Sequence, residues 1–207
     1  MKILIGTKNK HKASEISAIL SRSGIGIILP DDIGGLPEVE ESGESFEENA
    51  ALKAIAYAKF ASSARGSTEN VMAIADDSGL EVEALGGAPG IYSSRYESDD
   101  GKRISKLISE LNRVNSGETT PNRAAKFVCV VALADPEGLI KTFRGEVHGV
   151  ITEGPKGSNG FGYDPVFRPN GHEMTFAELA SETKNQISHR ANALRKFEKH
   201  LTEMPKG

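Results

Sequence analysis

Asp76 and Asp77 follow the short apolar run V-M-A-I-A, and Ser78 and Gly79 come directly after them. Adjacent carboxylates at the carboxyl end of a buried strand can hold a hard divalent cation. Mg²⁺ is usually bound by one or two carboxylates together with substrate phosphates. The same acids also read as the N-cap of a helix over residues 79–85. Neighbouring strand residues face opposite ways, so the two acids should divide the work. One orients or hydrogen-bonds; the other faces the cleft as ligand or base.

Four further stretches carry chemically useful side chains. T-K-N-K-H-K, Thr7 to Lys12, is a turn between strand and helix. A helix start presents free N–H groups to an anion, and Lys8, Lys10 and Lys12 add charge. The alternative is a solvated basic helix start, and the spacing is not that of a Walker loop. E-E-S-G-E-S-F-E-E-N-A, residues 40–50, offers either helix-start acids or a metal ligand among them, and Lys53 lies one helical turn past Asn49. G-F-G-Y-D-P-V-F, residues 160–167, sets glycines around Phe161, so a flat ligand could stack there; an aromatic-cored turn is the other reading. In K-N-Q-I-S-H-R, residues 184–190, Ser188 reads as an N-cap with His189 and Arg190 in the first helical turn. Cations there oppose the helix dipole unless an anion or a carbonyl ligand uses them.

The elements that must position these groups follow from periodicity. Residues 2–6 read as a buried strand, 11–22 as an amphipathic helix with Ile16, Ile19 and Leu20 on one face, and 25–30 as a second strand stopped by Pro30. This β-α-β opening favours an α/β fold with parallel neighbours. Residues 31–37 read as a loop. Residues 45–61 form the clearest helix, with a capping box at Ser45 and Glu48. A connector over 62–70 leads to the strand 71–75. A surface helix is expected over 99–113. The strands 124–134 and 139–152 flank D-P-E-G, a strong hairpin signal. A Gly-rich loop then enters a short strand ending at Phe167, and helix is expected from Thr175, over 176–180 and again from Ser188.

Composition bounds the function. The chain has 207 residues and a net charge of −4, a deficit that argues against binding a nucleic-acid polymer but leaves room for a small phosphorylated ligand. Its apolar runs are too short for a membrane span, and M-K-I-L-I-G-T reads as a strand, not a signal peptide. The single cysteine, Cys129, excludes an internal disulfide and reads as a buried thiol. The expected compartment is the cytoplasm.

Taken together, five motifs resemble the inosine triphosphate (dITP/XTP) pyrophosphatases: T-x-N-x-x-K, E-S-G-x-S-F-x-E-N-A, A-D-D-S-G-L-x-V-x-x-L-x-G-x-P-G-I-Y-S-x-R-Y, G-F-G-Y-D-P-x-F and S-H-R. The resemblance spans essentially the whole chain. It implies an elongated, two-lobed α/β fold over residues 1–207 without a separable linker. A central mixed, twisted sheet would be flanked by helices, with the active cleft between the lobes. It implies Mg²⁺-dependent hydrolysis of ITP, dITP or XTP at the α–β bond by a homodimer. By the same resemblance Asp77 is the proton acceptor, and Glu41 and Asp77 hold Mg²⁺ with Asp76 nearby. Ser78 contacts the nucleotide. Thr7, Lys8, Asn9, Lys12 and Lys53 meet the phosphates. Phe161, Gly162, Tyr163, Asp164, Lys184, His189 and Arg190 form the nucleoside pocket. Lys8 stands where many members have Gly. Two alternatives are a pyrophosphatase for other modified nucleotides and a nucleotide-binding regulator without catalysis.

Overall fold

The tetrapeptide K-I-L-I forms β1 (Lys2–Ile5), and its three apolar residues are buried. The chain then turns into α1 (Lys10–Leu20), which buries Ile16 and Leu20, and returns as β2 (Gly26–Ile28) parallel to β1. The computed structural model describes residues 2–21, 23–64 and 71–203. Arg22, the predicted end of the first helix, and residues 65–70 of the predicted connector lie outside them.

A turn of 3₁₀ helix (Pro30–Ile33) opens the segment read as a loop, and α2 (Phe46–Ala64) follows. The expected capping box is half made. Ser45 Oγ accepts from Glu48 N at 3.2 Å, but the Glu48 carboxylate accepts from Glu44 N at 2.7 Å, one residue before the box predicts. β3 (Met72–Val82) runs parallel to β1, then come α3 (Asp100–Val114), β4 (Ala124–Asp135), β5 (Gly138–Ile151), β6 (Phe167–Pro169), α4 (Ser181–Ile187) and α5 (His189–Glu203). The six strands form one sheet in the order β2-β1-β3-β4-β5-β6, and β6 pairs antiparallel with β5. The sheet is therefore mixed, and helices connect its parallel strands, as an α/β chain requires. The D-P-E-G hairpin forms because Asp135 Oδ1 accepts from Glu137 N and Gly138 N, at 2.8 and 2.9 Å.

Two sequence expectations fail for identifiable reasons. The acids do not end a strand: β3 continues through Asp76 and Asp77 to Val82, so residues 79–85 are strand and a 3₁₀ turn, not helix. Cations partner both acids, so the strand tolerates them. Residues 176–180 are turn and irregular backbone, not helix, because they pair sideways. Phe176 N donates to Phe167 O at 2.9 Å, and Ala177 O accepts from Ser158 N and Asn159 N. The N-cap reading of Ser188 holds: with extended backbone at φ −67°, ψ 160°, it follows α4 and directly precedes α5, which begins at His189.

The chain divides into two compact units, Met1–Asp77 with Cys129–Gly145 and Arg190–Gly207, and Ser78–Val128 with Glu146–His189. The first has a core of Ile3, Ile5, Leu20, Ile74, Val131 and Phe197. Its α2 buries the small residues Ala50, Ala54, Ala58 and Ala61. The second is cored by Leu80, Leu107, Leu111, Phe127, Phe167 and Phe176, with the Phe127 and Phe167 rings edge-on at 4.7 Å. Two of the four division points fall inside motifs singled out by the sequence, between Asp77 and Ser78 and between His189 and Arg190. Among the described residues no helix is long and apolar enough to cross a membrane.

Candidate active site

The alternation of β3 sends its two acids to different partners, as the period of a strand demands. Asp76 is 2 % exposed, and its Oδ2 lies 3.0 Å from both Lys12 Nζ and Arg190 Nη2. Arg190 Nη1 donates in turn to Glu15, a residue that no sequence motif had marked. Burial is the strongest influence on the Asp76 carboxyl and would raise its pKa. Lys12, Arg190 and Lys53 together outweigh burial and hold it far below the usual carboxylate range. Asp76 is a fixed anion that organises cations, too strongly held to accept a proton.

Asp77 has the opposite character. Its Oδ1 accepts from Lys53 Nζ at 3.0 Å, and the same ammonium donates to Glu41 Oε1 at 2.6 Å. The other oxygen, Oδ2, is buried without a hydrogen-bond partner among the described residues. Burial raises the Asp77 pKa, and the attraction of Lys53 and Lys12 only partly offsets it. Lys53 is pushed down by its own burial, yet Asp77, Asp76 and Glu41 raise it overall, so it stays charged. Adjacent residues thus become one permanently ionised anchor and one more basic carboxylate.

The basic turn is more self-contained than its sequence suggests. Asn9 caps α1, and its Oδ1 accepts from His11 N and Lys12 N at 2.9 and 3.2 Å. Two of the N–H groups expected to face an anion are therefore already used. Thr7 Oγ1 accepts from Asn9 N at 3.2 Å, and the exposed Lys8 pairs with Glu38 at 2.5 Å. Lys12 and Lys53 are the cations this region holds at its buried carboxylates.

The second unit gathers the aromatic and polar candidates. Asp164 Oδ2 accepts from Lys184 Nζ at 2.5 Å and from Phe161 N at 2.9 Å, and both ionic side chains are almost fully buried. Lys184 Nζ also sits 4.8 Å from the centroid of the Phe161 ring. Gly162, at φ +61°, is in a backbone conformation that side chains rarely adopt, and its N–H donates to Asp100 Oδ2 at 2.7 Å. Tyr163 Oη donates to Ser93 O at 3.1 Å. The buried His189 ring stacks on Phe127 at 4.7 Å and 11°. Ser78 is half-buried at the start of this unit. Arg190 is grouped with Lys12 and Asp76, not with these residues, and both of its terminal nitrogens meet carboxylates.

Among the described residues no three His, Cys, Asp or Glu side chains are arranged as a metal site. The two carboxylates converging on Lys53, Glu41 and Asp77, are the pair that could share a cation with phosphate oxygens. Sequence reasoning missed Glu15 and Asp100, and it gave Ser93 no role although that residue lies inside the longest motif. Glu15 carried a faint signal, an acid three residues after Lys12 on one helix face. Asp100 carried none, since its partner is 62 residues away.

The chain belongs to the Ham1 family, whose family model matches residues 3–200. A dITP/XTP pyrophosphatase of Bacillus licheniformis is 45% identical over 198 residues, covering 94% of this chain and 95% of that protein. A HAM1 protein from Coxiella burnetii has a solved structure that superposes with a TM-score of 0.84 at 36% identity, covering 99% of this chain and 100% of that one. The Staphylococcus aureus Ham1 protein gives 0.77 at 39% identity, over 98% and 99% of the two chains. The family read from the motifs is the family found.

Proposed function

We propose that this chain hydrolyses non-standard purine nucleoside triphosphates, ITP, dITP and XTP, at the bond between the α- and β-phosphates. The products are the nucleoside monophosphate and pyrophosphate, and the effect is to clear the nucleotide pool of such bases. The observation that carries the reading is Asp77: a buried carboxylate with an unpartnered oxygen, a raised pKa and Glu41 across a shared ammonium. A general base works best when its pKa is lifted toward the working pH.

In this reading Asp77 orients the attacking water at the α-phosphorus and accepts its proton. Lys12 and Lys53 stabilise the charge on the departing pyrophosphate. Asp76 holds Lys12 in place, supported by their 3.0 Å ion pair. Mg²⁺, when held by Glu41 and Asp77 with phosphate oxygens, would neutralise the charge that builds as the bond breaks. The unpartnered Asp77 oxygen and the hard oxygen donors fit such an ion. Phe161, Gly162, Tyr163, Asp164, Lys184 and His189 meet the nucleoside. The oxygen at position 6 separates hypoxanthine and xanthine from adenine, and a donor beside His189 would select for it. Since both terminal nitrogens of Arg190 are engaged by carboxylates, its part is to fix Asp76. The working species is a cytoplasmic homodimer, which light scattering would check.

The test is an assay with Mg²⁺ and equal ITP, XTP, GTP and ATP, resolving mono- and diphosphates, pyrophosphate and orthophosphate. IMP and XMP with pyrophosphate, and little turnover of ATP and GTP, are expected. Diphosphate and orthophosphate as products would refute the choice of bond.

A further inference from the structure

The Glu41 carboxylate is carried by irregular backbone, so something else must hold it against Asp77. Residues 41–43 have no regular secondary structure. Glu41 precedes Gly43 by two residues, and Gly43 N donates to Asn49 Oδ1 at 2.8 Å in a half-buried contact. Asn49 is fully buried, at 0 % exposure, in the first turns of α2. A side chain at Gly43 would stand 2.6 Å from Glu48 Cβ and 2.8 Å from Asn49 Oδ1, so only glycine lets the segment lie this close. Lys53, one turn further along the same face, reaches the Glu41 carboxylate itself at 2.6 Å.

We infer that Asn49 is a positioning residue for Glu41. It holds the backbone of the Glu41–Gly43 segment while Lys53 holds the carboxylate, and together they fix Glu41 beside Asp77. Two observations separate this from ordinary helix capping. The cap itself is made elsewhere, by Ser45 and Glu48 at the exposed end of the helix. And apart from Lys53, which itself reaches Glu41, the rest of the buried face of α2 is Phe46, Tyr57 and alanines, against which a buried carboxamide with Nδ2 unpartnered is an unfavourable choice for packing alone. A group of this kind aligns a ligand without touching it, and loss of such a partner typically weakens metal binding about 10–100-fold.

The inference rests on the reading of Glu41 and Asp77 as the cation-holding pair, so the experiment tests both. Mn²⁺ binding to the full chain, with no nucleotide, is measured by water-proton relaxation for the parent, Glu41→Gln, Asn49→Ala and Asn49→Asp, with thermal melts alongside. Asn49→Ala should bind Mn²⁺ about tenfold more weakly. Asn49→Asp keeps the acceptor for Gly43 N and should recover most of that loss whatever its melting temperature, whereas a purely structural role would make Mn²⁺ affinity follow the melts. If Asn49→Ala does not fold, Asn49→Ser, polar but too short to reach Gly43, takes its place. Weakening by Glu41→Gln with none by Asn49→Ala overturns the inference and leaves the cation reading standing. No Mn²⁺ binding by the parent, or binding untouched by Glu41→Gln, overturns both.

Discussion

Replacing Asp76 and Asp77 in turn by asparagine should shift stability in opposite directions, although the residues are neighbours on one strand. Asp76 is completely buried between Lys12 and Arg190, each 3.0 Å from the same oxygen. Removing its charge leaves two cations without that partner, and breaking a buried ion pair from one side costs about 3–5 kcal/mol. For a chain of this size each kcal/mol moves the melting temperature by roughly 2–4 °C, so Asp76→Asn should melt on the order of 10 °C lower. Asp77 is different because burial outweighs its cations and raises its pKa. Its ionised form is less favourable in the folded chain than in the unfolded one, so Asp77→Asn should melt at or above the parent. The pH dependence follows from the same signs. The Asp77 penalty is fully present above its raised folded pKa and vanishes below the unfolded value, about 3.9. The gap between Asp77→Asn and the parent should close as pH falls through that window. The stabilisation from Asp76 persists over the same range, because its folded pKa is depressed. Melts followed by circular dichroism in chelator, from neutral pH to about 4, decide the matter. An Asp76→Asn variant within about 2 °C of the parent would refute the anchor role, given the cost of an unpaired buried charge. A loss in Asp77→Asn as large as in Asp76→Asn would refute the division of labour.

Two shorter predictions accompany it. Asp77→Asn keeps shape and removes basicity, so kcat for ITP should fall about 10²–10⁴-fold with KM little changed, checked by steady-state kinetics. Burial pushes the Cys129 thiol up to about 12, with Asp76 adding to the effect. A thiol reagent at neutral pH should therefore label Cys129 only as the chain unfolds, which timed mass spectrometry would follow.

The legible parts of this chain were those governed by local pattern. The run K-I-L-I, the alanine stripe of α2 and the D-P-E-G turn each carry their structure in a few adjacent residues, and each forms as read. What local pattern could not show was partnership. Two acids after an apolar run look like a strand end when the lysines and the arginine that neutralise them are distant in sequence. With Lys12, Lys53 and Arg190 in place, the strand simply continues. Residues 176–180 have helical composition, but their backbone hydrogen bonds go to Phe167 and to Ser158 and Asn159. Arg190 looked like a recognition residue because a cation opposes a helix start, and the anions that use it are Asp76 and Glu15. The asymmetry between Asp76 and Asp77 was visible as strand alternation; which acid took which role depended on where the cations lay.

The most direct test of the central claim is hydrolysis of ITP in ¹⁸O-enriched water, with the label located by mass spectrometry. Water attacking the α-phosphorus places ¹⁸O in IMP and leaves pyrophosphate unlabelled, which is the outcome predicted for Asp77 acting on that water. Label in pyrophosphate would mean attack at the β-phosphorus, and label in orthophosphate attack at the γ-phosphorus; either would contradict the account.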